Sequence, residues 1–333
     1  MLAKRCCMQR YNNISTSTLR YRTHMSRVFA ISDIHVDHPA NLDWINGWSD
    51  QRYRDDVLIV AGDVTDYLPL LESTLSSFKK KFKSVFYVPG NHELWLRKNP
   101  RPSQISNTLM DSIQKFQHIL SICDTIGVHT TPQSIACVDN TQVMIVPLFS
   151  WYSTPETDEV DSLYLSGPHP DNVEKMNKMW MDNHFCVWPH LETTISKHFA
   201  ALNNKHVKQY SIPVISFSHF LPRQDLILAC KKDEEAVARE QDLLSLGKQN
   251  LPRQGSTIGF NFTRFAGCKI LETQIRRLCS QVHVYGHQHR NRDRDINGVR
   301  YVSHCLGYKR ERDLGLMWGL VDWEGPKLIW PLQ

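Results

Sequence analysis

The ten residues VLIVAGDVTD, Val57 to Asp66, pass in one step from an apolar, mostly β-branched run to a glycine and two carboxylates. Apolar residues without polar alternation read as a strand covered on both faces, as in a parallel sheet between layers. Glycine then lets the backbone turn sharply and come close to a ligand, and Asp63 follows it at the strand's carboxyl end. The pattern recurs along the chain. Val28–Ser32 (VFAIS), Val85–Val88 (VFYV), Val143–Phe149 (VMIVPLF), Val214–Phe217 (VISF) and Val282–Tyr285 (VHVY) are runs of the same kind. Between them, Leu68–Lys83 sets Leu71, Leu75, Phe78 and Phe82 at three- and four-residue spacing, the period of an amphipathic helix, and Ser106–Cys123 is similar. Strands alternating with helices predict an α/β protein. Three further runs, Arg300–Ser303, Leu316–Asp322 and Lys327–Trp330, have the density of consecutive hairpin strands.

The residues that follow each run carry the chemistry. Asp33-Ile34-His35 follows the first run, Gly62-Asp63-Val64-Thr65-Asp66 the second, and Gly90-Asn91-His92-Glu93 the third. Ser218-His219 follows Val214–Phe217, and Gly286-His287-Gln288-His289 follows Val282–Tyr285. Open α/β sheets bind ligands beyond the carboxyl ends of their strands, so these clusters are expected to converge on one crevice. Singly each is weak, and His283 and His304 beside the last cluster read as ordinary structural histidines. The ordered set is what has weight. Imidazole together with carboxylate suits Zn, Fe or Mn rather than Mg or Ca, which favour oxygen-only shells. Two cations about 3.5–4 Å apart need a shared anionic oxygen, and Asp63, placed after a glycine turn, can supply it. His287 and His289, two apart on an extended segment, project to one side and can serve one metal each.

The set D-x-H, GDxxD, GNHE, H and GHxH resembles the calcineurin-like metallophosphoesterase superfamily over roughly residues 27–310. That resemblance implies a four-layer α/β/β/α sandwich with two metal ions, Mn, Zn or Fe. By motif, Asp33, His35 and His289 would hold one metal and Asn91, His219 and His287 the other, with Asp63 bridging. His92 would not ligate metal but would protonate the leaving-group oxygen or orient the phosphate. The implied activity is hydrolysis of a phosphomonoester or phosphodiester of a small molecule or nucleotide, by in-line attack of a hydroxide bridging the two metals. Every ligand position is filled, which disfavours a metal-binding scaffold without turnover. Ser/Thr protein phosphatases of the superfamily carry Arg-Gly after GDxxD, where this chain has Tyr67-Leu68. Purple acid phosphatases carry a tyrosine three residues after the bridging aspartate, where this chain has Asp66. These departures point to the small-molecule branch, with phosphoprotein phosphatase as the alternative. Arginine meets phosphate bidentately, and Arg223, four residues after His219, is the first candidate for that contact. Arg97 and the run Tyr308–Arg312 are the second.

Composition bounds the partners. The 333 residues carry a formal charge of +5, but Lys4, Arg5, Arg10, Arg20, Arg22 and Arg27 precede the first acid, Asp33. Residues 28–333 hold 33 basic against 34 acidic residues, a near-neutral body without the basic footprint of a protein that binds nucleic-acid duplexes. No stretch approaches the roughly 18 apolar residues of a membrane span. Nine cysteines, an odd count without a CxxC pair, predict reduced thiols and a cytoplasmic protein. Residues 1–26 form a basic leader. Its first 24 residues read either as a mitochondrial transit peptide or as a disordered extension upstream of a start at Met25. Residues 27–333 are expected to form one domain, with an aromatic- and proline-rich insertion at 150–212, within which Val173–Trp188 reads as a helix. That insertion reads either as a surface excursion or as a lid over the strand ends.

Overall fold

The computed structural model describes residues 26–97, 111–137, 141–166, 170–228, 260–313 and 325–331. In chain order its strands are β1 (Val28–Ile31), β2 (Val57–Ala61), β3 (Ser84–Val88), β4 (Gln133–Ala136), β5 (Gln142–Pro147), β6 (Val214–Phe217), β7 (Ser280–Tyr285), β8 (Arg292–Ile296), β9 (Val299–Ser303) and β10 (Lys327–Trp330). They form a four-stranded sheet, β10-β1-β2-β3, and a six-stranded sheet, β4-β5-β6-β7-β9-β8. In the first sheet β1, β2 and β3 run parallel and β10 is antiparallel to β1. In the second, β5, β6, β7 and β9 run parallel between antiparallel edges.

The two-residue period of a strand divides these side chains between two cores. Val28, Ala30, Val57, Ile59, Ala61, Phe86 and Val88 of the first sheet form one apolar cluster with Val143, Ile145, Ile215, Phe217, Val282, Val284 and Val302 of the second. Their neighbours Phe29, Ile31, Leu58, Val60, Val85 and Tyr87 join a second cluster with Ile45, Leu71, Leu75, Phe78, Phe116 and Ile119. Those partners belong to helices α1 (Pro39–Asn46), α2 (Leu68–Lys81) and α3 (Ser112–Ile126). The helices Ile195–Asn203 and Lys269–Arg277 contribute Phe199, Leu271 and Ile275 beside Tyr285 and Tyr301. Strands covered on both faces therefore show as unbroken apolar runs, and the architecture is the four-layer α/β/β/α sandwich.

Several expectations need correction. The edge strands β4 (QSIA) and β8 (RDRDI) carry too little apolar pattern to read as strands, as is usual for guarded edges. β9 makes its hairpin with β8, while β10 crosses to the first sheet and pairs with β1. The run Leu316–Asp322, residues 98–110 and nearly all of the basic leader lie outside the described residues. Val173–Trp188 is two helices, Val173–Met179 and Asp182–Phe185, not one. The break falls at Trp180, which turns inward to stack on Phe265 at 4.6 Å. Trp151 and Tyr152 likewise pack on Phe220 and Phe265, so aromatic contacts bind segment 150–212 to the body. Among the described residues no helix is long and apolar enough to cross a membrane.

Candidate metal centre

The carboxyl ends of β1, β2, β3, β6 and β7 bring their polar residues to one place. Asp33, His35, Asp63, Asn91, His219, His287 and His289 are all buried. Five of them hold left-handed backbone conformations, with φ of 51° at Asp33, 40° at His35, 55° at Asp63, 72° at His287 and 52° at His289. Such a conformation costs a non-glycine residue roughly 1–3 kcal/mol, and strain of this kind concentrates at functional sites. Two glycines supply the close approach. A Cβ on Gly62 would stand 2.5 Å from Nδ1 of His219, and one on Gly286 would stand 2.5 Å from Oδ2 of Asp33.

Donor atoms of Asp33, His35, Asp63 and His289 lie within 4.8 Å of one another, and so do those of Asp63, His219 and His287. Asp63 belongs to both groups. Nε2 of His35 and Nε2 of His289 face each other at 3.0 Å, and Nε2 of His289 is 3.4 Å from Oδ1 of Asp33. Across the site, Nε2 of His219 lies 3.4 Å from Oδ2 of Asp63 and 3.1 Å from Oδ1 of Asn91. Imidazole nitrogens and carboxylate oxygens converging in this way form the kind of shell that holds Zn, Mn or Fe.

Neighbouring groups fix the orientation of these donors, as in metal sites generally. His219 donates from Nδ1 to the Ala61 carbonyl at 2.9 Å, which turns Nε2 toward Asp63. His287 donates from Nε2 to the Phe265 carbonyl at 3.0 Å, leaving Nδ1 as its donor atom. Nδ1 of His289 is 2.6 Å from Glu311. Glu93 accepts backbone N–H bonds from Asp63, Val64 and Gly90 at 3.1, 2.5 and 2.7 Å, tying two of the motif loops together. The amide of Asn91 is set by Asp182 of the insertion, whose Oδ1 accepts from Asn91 Nδ2 at 2.8 Å and Trp95 Nε1 at 2.7 Å. Oδ2 of the same carboxylate accepts from Trp180 Nε1 at 2.9 Å.

Replacing Asp182 with alanine leaves the buried donors of Asn91 and Trp95 without this acceptor, a cost of about 1–3 kcal/mol for each one left unsatisfied, whereas Trp180 Nε1 keeps the Tyr152 hydroxyl at 3.0 Å. Asp182→Ala is therefore expected to weaken metal binding by about 10–100-fold, the usual effect of losing an outer-shell partner. Asp182→Asn, which keeps one acceptor, should be intermediate. Calorimetric metal titration checks this, and an unchanged affinity in the alanine variant would remove Asp182 from the role.

Electrostatics divide the imidazoles into two kinds. Burial holds His35 well below its ordinary range and pushes His287 down to about 3, so both are neutral. Burial also acts to lower His219 and His289, but neighbouring carboxylates outweigh it. Asp63 brings His219 up to about 9, and Glu311 with Asp33 holds His289 well above its ordinary value. Burial alone would raise Asp33 and Asp63; the charges and hydrogen bonds of His289, His219 and His92 instead hold both below the usual carboxylate range. Burial and the charge of Asp63 push Glu93 up to about 7. Without metal, protons on His219 and His289 partly neutralise the carboxylates, and ions must displace them.

A stability prediction follows from these signs. A histidine raised from 6.5 to about 9 stabilises the fold fully below 6.5 and loses that contribution as pH rises toward 9. Metal-free protein should lose stability between pH 6.5 and 8, on the order of 2 kcal/mol from His219 alone at about 1.36 kcal/mol per pH unit for each excess proton, with His289 adding a loss of the same sign. Lys115, which burial lowers to about 8, opposes the trend above that window. With Zn or Mn present the slope should reverse, because the ions compete for the same nitrogens. Thermal melts across this range check it; a flat or rising Tm in metal-free protein would contradict the proton assignment.

His92 stands at the edge of the cluster. Its ring stacks on Trp95 at 3.7 Å and meets His35 edge-on at 4.7 Å, and its Nε2 is 3.8 Å from Oδ2 of Asp63. It lines a cavity of about 420 Å³ together with Asp63, Asn91, His287 and His289.

The arginines go elsewhere. Arg223 bonds Asp225 and Glu272, each at 2.7 Å, and lies against Tyr301. It thereby clamps the loop after β6 to the helix Lys269–Arg277 and does not line the cavity. Arg97 pairs with Asp66 and packs over Trp95 and Phe185, and it does not line the cavity either. In the run Tyr308–Arg312 the acid and the aromatic ring reach the site. Glu311 holds His289, and Tyr308 stacks on His35 at 4.5 Å. Arg312 bonds the Leu306 and Gly307 carbonyls and Asn41. Sequence reading named the run Tyr308–Arg312 for phosphate contact rather than for support of His289 and His35, and it missed Asp182, which stands in no motif with the donor it supports.

Residues 26–223 match a protein-family model described as calcineurin-like phosphoesterase. Over 130 residues the chain is 33% identical to the acyl-carrier-protein phosphodiesterase PptH of Mycobacterium tuberculosis. That match takes in 38% of this chain and 37% of that protein. The crystal structure of phosphopantetheinyl hydrolase (PptH) from Mycobacterium tuberculosis is similar with a TM-score of 0.63. The similarity covers 92% of this chain and 97% of that one at 22% identity, and it speaks to the fold.

Proposed function

Because this chain belongs to the calcineurin-like phosphoesterase family, we propose that it is a metal-dependent phosphoric ester hydrolase that cleaves a phosphodiester. The observation that carries the reading is Asp63, a buried carboxylate common to two converging groups of donors. Asp33, His35 and His289 would hold one ion, Asn91, His219 and His287 the other, and Asp63 both. The mixed nitrogen and oxygen donors favour Mn, Zn or Fe. Both sheets supply donors, which supports reading residues 27–333 as one catalytic domain. Ions bound there would supply Lewis acidity to a phosphoryl group and make water a nucleophile near neutral pH.

The protein's own contribution is position and protons. Glu93 holds the loops of Asp63 and Gly90 in register, and Asp182 presents the carbonyl oxygen of Asn91 to the site. His92 has its backbone N–H on Asp63 at 3.1 Å and its ring against Trp95. This leaves Nε2 at the cavity to protonate a departing oxygen or orient the phosphate, the general-acid role imidazole suits. PptH is named an acyl-carrier-protein phosphodiesterase, which favours a diester over a monoester and puts phosphopantetheine-linked diesters first in a substrate panel. Metal-loaded protein should hydrolyse a generic phosphodiester such as bis(4-nitrophenyl) phosphate, and chelation should abolish the activity. Metal uptake without turnover of any diester, monoester or phosphopeptide would favour a metal-binding scaffold instead.

A further inference from the structure

The cavity has a charged floor and an apolar side. Asp63, Asn91, His287 and His289 form the floor. On one side stand Met179, Trp180 and Met181 of the 150–212 segment, together with Phe260 and Phe262. Trp180 lies nearly parallel to Phe260 and Phe265, with planes within 19° and 11°. Phe262 tilts against the His287 ring at 5.3 Å. Apolar surface therefore begins one ring away from a candidate donor nitrogen. Met179 and Met181 remain 49% and 44% exposed. Large apolar side chains left in water beside a cleft mark a binding surface, and unbranched thioethers adapt to the shape laid against them.

We propose that the site takes a diester carrying on one side an uncharged, largely apolar alkyl or aryl group. That group lies along Met179, Met181 and Phe262. The inference rests on the phosphodiesterase reading for the floor and adds the wall, so the two are tested separately. Turnover of butyl 4-nitrophenyl phosphate is compared with that of methyl 4-nitrophenyl phosphate. A fully buried methylene is worth about fourfold in affinity, so three partly buried ones should raise kcat/KM at least about tenfold in the native protein. The butyl-to-methyl ratio should collapse toward one in the Met179→Ser/Met181→Ser double variant, whose exposed positions tolerate serine in the fold. A ratio near one in the native protein or a ratio kept in the double variant would overturn the proposal. Calorimetric binding of dibutyl against dimethyl phosphate reads the wall without chemistry. No turnover with tighter dibutyl binding sinks the phosphodiesterase reading alone, and equal binding sinks the apolar wall.

Discussion

Asp63→Asn is expected to lower turnover of bis(4-nitrophenyl) phosphate by at least about a thousandfold and to reduce bound metal from two ions per chain to one or none. The size follows from the position of the carboxylate. Two cations at close range repel unless an anionic oxygen stands between them, and Asp63 is the residue shared by both donor groups. Asparagine keeps the shape and one acceptor but removes the charge. It also removes the partner that raises His219, so His219 should titrate lower in the variant. Metal analysis of the purified variant and its kcat check the two parts together. Circular dichroism and a thermal melt establish that the fold survives, which matters because Asp63 also accepts the His92 backbone N–H.

The second large effect has a different signature. His92→Ala should bind both metals and still lose about 10²–10⁴-fold in kcat, the range for a positioned general acid. The loss should grow with the basicity of the leaving group. A 4-nitrophenolate departs without a proton, whereas an alkoxide needs one, so alkyl diesters should suffer more than nitrophenyl ones. A loss equal for both leaving groups would assign His92 to orienting the phosphate. Loss of metal would assign it to the shell, against its 3.8 Å distance from Asp63 and its stacking on Trp95. Retained activity on alkyl diesters would remove it from the mechanism.

The strands that position the site were legible because they are buried on both faces. Each then reads as an unbroken apolar run whose end is marked by a glycine or an abrupt polar residue, and Val57–Asp66 shows both signals in ten residues. β4 and β8 were not legible: β4 is largely exposed, and in Arg292–Ile296 the buried alternate positions are the charged Arg292 and Arg294, so no apolar alternation shows. The donors followed from the strand ends, but their supports did not. Asp182 reaches Asn91 across 91 residues and Glu311 reaches His289 across 22, and no local periodicity connects such pairs. Arg223 marks a different limit. Its spacing from His219 gives nearness along the chain and says nothing of direction, and Asp225 and Glu272 turn it toward the Lys269–Arg277 helix. The Trp180 break is similar, because the register of Val173–Trp188 suits a helix and the stacking on Phe265 overrides it.

The central claim is that one buried aspartate joins two metal sites into a single hydrolytic centre. Stepwise addition of Mn or Zn to stripped protein, read at once as ions bound per chain and as rate on bis(4-nitrophenyl) phosphate, addresses it directly. The account predicts two ions per chain, with activity rising with occupancy of the second and lost in Asp63→Asn. Two ions bound without hydrolysis of any phosphodiester, or full activity in the Asp63→Asn protein, would contradict it.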